Sequence, residues 1–282
     1  MAERAEFGLA LGGGFIHGMA HIGVLSVLEE QRLVPGWLAG TSAGAIAAAF
    51  AAFGVSAAET EAALQELGWG TMTRTHLMGH FGFATNEGLE DILVRALGDV
   101  HIEDSGIPLG VVATDINTGN RVLIDRGPVA TAVRASCCVP GLYAPVEIDG
   151  RLLVDGALVE NVPCRAVREM GAPRVVAVSL GFAVPYQPVE SWRQVMANAF
   201  DIAVNSQMRF EILAEADLLI DPDLEGLSKM RTKDRDAIIE AGRQRTEEAL
   251  PALGELLKKE REGGAVSRWM NTVKDRLVGQ RD

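Results

Sequence analysis

The chain has 282 residues, 48% of them apolar and 23% charged, with a formal net charge of −12. Such a chain can bury one sizeable α/β core with a small appendage, and its acidity weighs against nucleic acid as a partner. Three cysteines, Cys137, Cys138 and Cys164, make a poor disulfide framework and favour a reducing compartment. They lack C-x-x-C pairs, and the histidines lack H-E-x-x-H spacing, so no metal is expected. Residues 1–6 lack the basic-then-apolar pattern of a secretory signal. The apolar run over 45–53 is also too short for a bilayer span of about 20 residues. A cytoplasmic location is the expectation.

Phe7-Gly8-Leu9-Ala10-Leu11 reads as a buried first strand, and Gly12-Gly13-Gly14 follows it. Helix-spaced Met19, Ile22, Val24, Leu25 and Leu28 then predict a helix over 18–31. Strand, glycine loop and helix together aim backbone N–H groups at one spot, which suits a phosphate or an oxyanion hole. A dinucleotide fingerprint fits poorly, because Gly12-x-Gly14-x-x-x-Gly18 has one residue too many. The second strand, over 34–39, runs into Gly40-Thr41-Ser42 and not into an acidic ribose ligand. A P-loop would need Gly-Lys-Ser/Thr, which is absent. The oxyanion hole is the better reading, since two parallel strands end side by side.

Gly40-Thr41-Ser42-Ala43-Gly44 is a G-x-S-x-G turn between the second strand and a helix over 43–53. A serine there sits on a sharp bend, with the positive end of the helix aimed at it. The pentapeptide alone serves equally as a glycine-flanked turn with a solvent-facing serine. A nucleophilic Ser42 needs a base, and the histidines are His17, His21, His76, His80 and His101, with none later. The late histidine of an α/β-hydrolase triad is therefore missing, which leaves a desolvated carboxylate as the candidate base.

A helix is expected over 57–67, followed by an irregular stretch over 68–86. There Trp69, Met72, Leu77, Met78, Phe81 and Phe83 lie among four glycines, as in a lid or acyl-chain channel, or equally a core-covering loop. A helix over 88–97, strands over 108–114 and 120–125, and a helix over 128–135 come next. Strands over 145–148 and 151–154 flank Asp149-Gly150 and read as a β-hairpin. Asp155-Gly156-Ala157 leaves the second hairpin strand. Taken alone, Asp155 reads as a turn-forming residue, although a carboxylate there can re-enter a site. A helix over 163–170, a strand over 174–180, a helix over 190–213, a strand over 217–220 and a helix over 232–257 complete the pattern. Such alternation predicts a three-layer α/β/α fold with a mostly parallel sheet and antiparallel strands added by the hairpin.

Residues 1–257 read as the main domain and 258–282 as a helical tail, with Gly263-Gly264 a linker-like break. The tail carries a net charge of +3 within an otherwise acidic chain. Trp269, Val273 and Leu277 recur every four residues on it, so the tail either packs against the domain or docks on a membrane or partner.

Together the glycine loop, the G-x-S-x-G turn and Asp155-Gly156-Ala157 resemble the patatin-like phospholipases over about residues 7–225. Ala20-His21-Ile22-Gly23-Val24-Leu25 and 112–119 add to the likeness, as do Arg134-Ala135-Ser136 through Val139-Pro140-Gly141 and Asn161-Val162-Pro163. The resemblance implies Ser42 as nucleophile, Asp155 as sole catalytic base, and an oxyanion hole of backbone amides from Gly12, Gly13, Gly14 and Phe15. It implies a fatty-acyl lipid substrate, phospholipid or lysophospholipid, with no metal or cofactor. Peripheral membrane contact fits that substrate. Two residues depart from the family loop: Phe15 stands where a glycine is expected and His17 where a permanent cation is expected. A positive φ at Phe15 would cost about 1 kcal/mol. His17, partly charged near neutral pH, either supports the anion or merely packs. A lipid-binding or regulatory protein with a decayed oxyanion hole is the alternative.

Overall fold

The computed structural model describes residues 4–65, 69–79, 82–181, 189–228 and 232–278. The first half comprises β1 (Arg4–Leu11), α1 (Ala20–Glu30), β2 (Val34–Thr41), α2 (Ala43–Ala52), α3 (Ala57–Leu64), α4 (Trp69–Met72), β3 (Arg74–Gly79) and β4 (Gly82–Thr85). Next come α5 (Glu87–Leu97), β5 (Leu109–Asp115), β6 (Arg121–Ile124), α6 (Val129–Ser136), β7 (Val146–Ile148) and β8 (Arg151–Asp155). The chain closes with α7 (Cys164–Glu169), β9 (Val175–Val178), α8 (Trp192–Glu215), β10 (Leu218–Ile220) and α9 (Arg235–Val278).

The main sheet runs β10-β9-β1-β2-β5-β8-β7, with β6 also paired to β5. From β10 to β5 the pairs are parallel, and β6, β8 and β7 add antiparallel ones. Alternation along β1 builds the layers: Phe7, Leu9 and Leu11 face a core shared with α1, α2 and α9. Ala10 faces a second core, with Val167 of α7 and Met208 and Ile212 of α8. This is the expected α/β/α arrangement. At the α1–α9 crossing the backbones touch: a Cβ on Gly23 would stand 2.0 Å from Ile239 O, and one on Gly242 2.1 Å from Ala20 O. Only glycine fits there.

The edge of β5 positions the site. Leu109 to Val112 pair with β2, ending with Thr41 opposite Val112. From Ala113 onward β8 takes over, with Asp155 opposite Ala113. The residue after Thr41 and the last residue of β8 therefore meet where the edge passes from a parallel to an antiparallel partner.

Two stretches differ from the sequence reading. The 68–86 segment forms α4 and the β3–β4 hairpin, with Arg74 opposite Thr85 and Gly79 opposite Gly82. Those glycines interrupt the alternation by which a strand is recognised. At the other end, the α9 helix continues through Gly263-Gly264 to Val278. The side chains of 259–278 lie outside the described residues, so the amphipathic stripe does too. Among the described residues no helix is long and apolar enough to cross a membrane.

Candidate active site

Ser42 occupies the single residue between β2 and α2, at φ 52° and ψ −120°. This is left-handed space that costs a non-glycine residue about 1 kcal/mol or more. Its neighbours permit the bend. A Cβ on Gly40 would stand 2.4 Å from Gly44 O, and one on Gly44 2.0 Å from Leu11 O. The strained backbone is held by Ser136, at the end of α6. Ser42 N–H donates to Ser136 Oγ at 2.8 Å, and the Ser136 hydroxyl donates to Val112 O at 2.6 Å.

Ser42 Oγ donates to Asp155 Oδ2 at 2.8 Å. The other carboxylate oxygen, Oδ1, accepts from Ala157 N–H at 2.9 Å. Backbone bonds fix the residue itself, from Asp155 N–H to Cys138 O and from the Thr114 hydroxyl to Asp155 O. Asp155 is 2% exposed, and burial raises its pKa to about 6, against the opposing pull of its bonds to Ala157 and Ser42. A carboxylate so desolvated is a stronger base than an exposed one. Cys137 lies beside this pair, and burial pushes its thiol well up.

The glycine loop is wired differently from the expectation. Gly12 N–H donates to Val178 O at 3.0 Å, which continues the β1–β9 pairing. Gly13 N–H donates to the backbone and side-chain oxygens of Asn161, each at 3.2 Å. Neither amide faces a site as an oxyanion donor, which corrects the reading of Gly12 and Gly13. Gly14 N–H has no acceptor among the described residues, and Phe15 follows at φ 54°. A glycine would hold that φ without strain.

His17, expected either to support the anion or to pack, is buried, with Nδ1 3.4 Å from Leu180 O and Nε2 3.1 Å from Leu227 O. The ring ties the loop to the segments after β9 and β10. His21, on α1, donates Nε2–H to Gly12 O at 2.7 Å. Burial lowers its pKa to about 4, so the ring stays neutral and the tautomer is set by that bond.

Two cavities flank Ser42. An apolar one of about 100 Å³ is lined by Met19, Ile46, Leu64, Met72, Val139 and Tyr143 among others. A smaller polar one of about 30 Å³ has Gly14, Asp155, Asn161, Asp201 and Asn205 in its wall. The 68–86 stretch contributes Met72 to the apolar wall, and Thr73 Oγ1 meets Tyr143 OH at 2.8 Å. The side chains of Leu77, Met78, Phe81 and Phe83 lie outside the described residues.

A family model for patatin-like phospholipase matches residues 9–168, more than half of the chain, with the glycine loop, Ser42 and Asp155 inside the match. The chain belongs to the patatin-like phospholipase family. An NTE family protein of Mycobacterium tuberculosis is 31% identical over 282 residues, covering 90% of this chain and 48% of that protein. Patatin-like phospholipase domain-containing protein 6 of Mus musculus is 32% identical over 182 residues, covering 61% of this chain and 13% of its own length. The chain spans about half the length of the mycobacterial relatives, and far less of the mouse one. VipD from Legionella pneumophila shares the fold at a TM-score of 0.53 and 14% identity, over 87% of this chain and 67% of that one.

Within this patatin-like frame, Ser136, Asn161 and His21 support the site, and sequence reasoning assigned them no role. Each lies in a stretch that resembles the family, and that was the only available signal. Their partners are Ser42, Gly13 and Gly12, at separations of 94, 148 and 9 residues.

Proposed function

We propose that this chain hydrolyses fatty-acyl esters of lipids, phospholipid or lysophospholipid, through an acyl-enzyme on Ser42. The observation that carries this reading is the 2.8 Å bond from Ser42 Oγ to a buried Asp155 carboxylate, with no histidine between them. In acylation Ser42 Oγ attacks the ester carbonyl carbon while its proton passes to Asp155. The tetrahedral oxyanion is held by backbone N–H at the Gly14–Phe15 corner, a contribution of about 3 kcal/mol per donor in such sites. The carbon–alcohol bond then breaks, and Asp155 returns the proton to the departing oxygen. In the second half Asp155 takes a proton from water, which attacks the acyl carbon; the bond to Ser42 Oγ then breaks, Asp155 returns the proton to Oγ, and the fatty acid departs. The apolar cavity suits the acyl chain. Phe15 at φ 54° supports an intact hole over a decayed one, because it holds a positive φ of the kind a glycine adopts freely.

Labelling with a fluorophosphonate probe tests the reading. Labelling of the wild type is expected, with none in Ser42→Ala and a collapse in Asp155→Asn. A folded wild type that stays unlabelled, with and without vesicles, would overturn it.

A further inference from the structure

An acyl-enzyme on Ser42 turns over only when a water attacks it. The proton of that water goes to Asp155, so the water stands on the side that Asp155 faces. Asp155 lines the polar cavity and not the apolar one, and the two walls share only Ser42 and Phe15. With the acyl chain in the apolar cavity, water reaches the acyl carbon from the polar one. The polar cavity, of about 30 Å³, suits a water or two.

A water held in such a space needs roughly three polar partners. Asp155 is one, and the other polar side chains of the wall differ in what they have left to give. Asn161 is engaged, its Oδ1 accepting from Gly13 N–H and its Nδ2 meeting Met208 Sδ at 3.4 Å. Asp201 has a partner of its own. Asn205, one turn further along α8, does not: half-buried in the cavity wall, its amide makes no hydrogen bond among the described residues. A Cβ on Gly181 would stand 3.6 Å from Asn205 Oδ1, so the amide reaches the wall that the segment after β9 forms. A water that donates one hydrogen to Asp155 and the other to the Asn205 amide oxygen keeps its lone pairs for the acyl carbon.

We infer that Asn205 positions the hydrolytic water and so governs the second half of the reaction and not the first. The inference rests on the acyl-transfer reading above. In that second half the water oxygen bonds to the acyl carbon as its proton passes to Asp155. The bond from carbon to Ser42 Oγ then breaks, Oγ takes the proton back from Asp155, and the fatty acid leaves. Asn205 neither gains nor loses a proton. Its effect is one-sided because the alcohol oxygen of the first half is placed by its covalent bond to the acyl group. The water is tethered by nothing, and holding it in line costs entropy that a fixed partner offsets.

The test separates the two halves with p-nitrophenyl hexanoate. Rapid mixing gives acylation from the release of p-nitrophenolate, and intact mass follows the decay of the hexanoyl-enzyme. Asn205→Leu keeps the volume of the side chain and Asn205→Ala opens it, while both remove the amide; fluorophosphonate labelling of Ser42 shows that each is folded and reactive. Both variants should slow deacylation about tenfold or more and leave acylation within about twofold, so that hexanoyl-enzyme accumulates. Deacylation unchanged in both labelled variants overturns the inference alone. So does a fall of acylation and deacylation by the same factor, which would make Asn205 a structural residue. A wild type that neither labels nor forms a hexanoyl-enzyme overturns the acyl-transfer reading and this inference with it.

Discussion

Two turns meet at the candidate site, and both hold a non-glycine residue at positive φ: Ser42 at 52° in the elbow and Phe15 at 54° in the glycine loop. The elbow depends on few partners. Its backbone rests on Ser136 and its side chain on Asp155, each at 2.8 Å. The loop is held by many: Val178, Asn161, His21, Leu180 and Leu227 each share in it. Concentrated support makes the elbow sensitive to single substitutions. Distributed support makes the loop tolerant, which is how it can hold Phe15 at a positive φ.

The largest effect is expected at the elbow carboxylate. Asp155→Asn should lower kcat/KM about 10³-fold, the scale of a lost general base. In the wild type kcat/KM should fall tenfold per pH unit below about 6, as Asp155 takes up its proton, and level off above. Stability runs the other way. The native pKa of about 6 lies above the 3.8 of an ordinary aspartate, so ionisation opposes folding between those values and fully so above them. Asp155→Asn should thus raise the unfolding free energy at pH 8, by up to about 3 kcal/mol at about 1.4 kcal/mol per unit, and leave it unchanged at pH 3. An equal shift at both pH values would argue against a desolvated carboxylate.

Ser136→Ala comes next. It removes the acceptor for Ser42 N–H and leaves Val112 O without its donor. A loss of about 10²-fold in kcat with KM little changed is expected, since a small misplacement of the nucleophile is costly. A change confined to KM would mean that Ser136 serves the substrate and not the elbow.

Asn161→Ala tests the other side of the comparison. Gly13 keeps its bond to the Asn161 carbonyl when the side chain is cut, so about a tenfold loss of kcat is expected. A loss as large as that of Ser136→Ala would show that the loop, too, hangs on one contact.

The same contrast explains what could be read in the chain beforehand. Ser42, flanked by Gly40 and Gly44, sits in a local pattern whose backbone demands are met within five residues. The alternating strands and helices were legible for the same reason, as periodicity is local. The direction of the Gly12 and Gly13 amides was not. It depends on Val178 and Asn161, far along the chain and brought beside the loop only by the sheet order. Asp155 is intermediate. Its Asp-Gly-Ala turn is a local signal, but its role needs Ala113 and Val112 to set β8 next to Thr41.

His17→Gln should have the smallest effect. Were the imidazole charge holding the oxyanion, its removal would move the pH profile. The ring instead faces Leu180 O and Leu227 O and lines neither cavity. The imidazole meets these carbonyls through its ring nitrogens, and a glutamine amide can offer a donor to the same carbonyls. Activity within about threefold of wild type is expected, with a stability loss of about 1 kcal/mol for the poorer fit. The acid limb near pH 6 should stay in place, because it belongs to Asp155. If that limb moved with His17→Gln, the loop would be coupled to the chemistry through one charge after all, and its tolerance would need another cause.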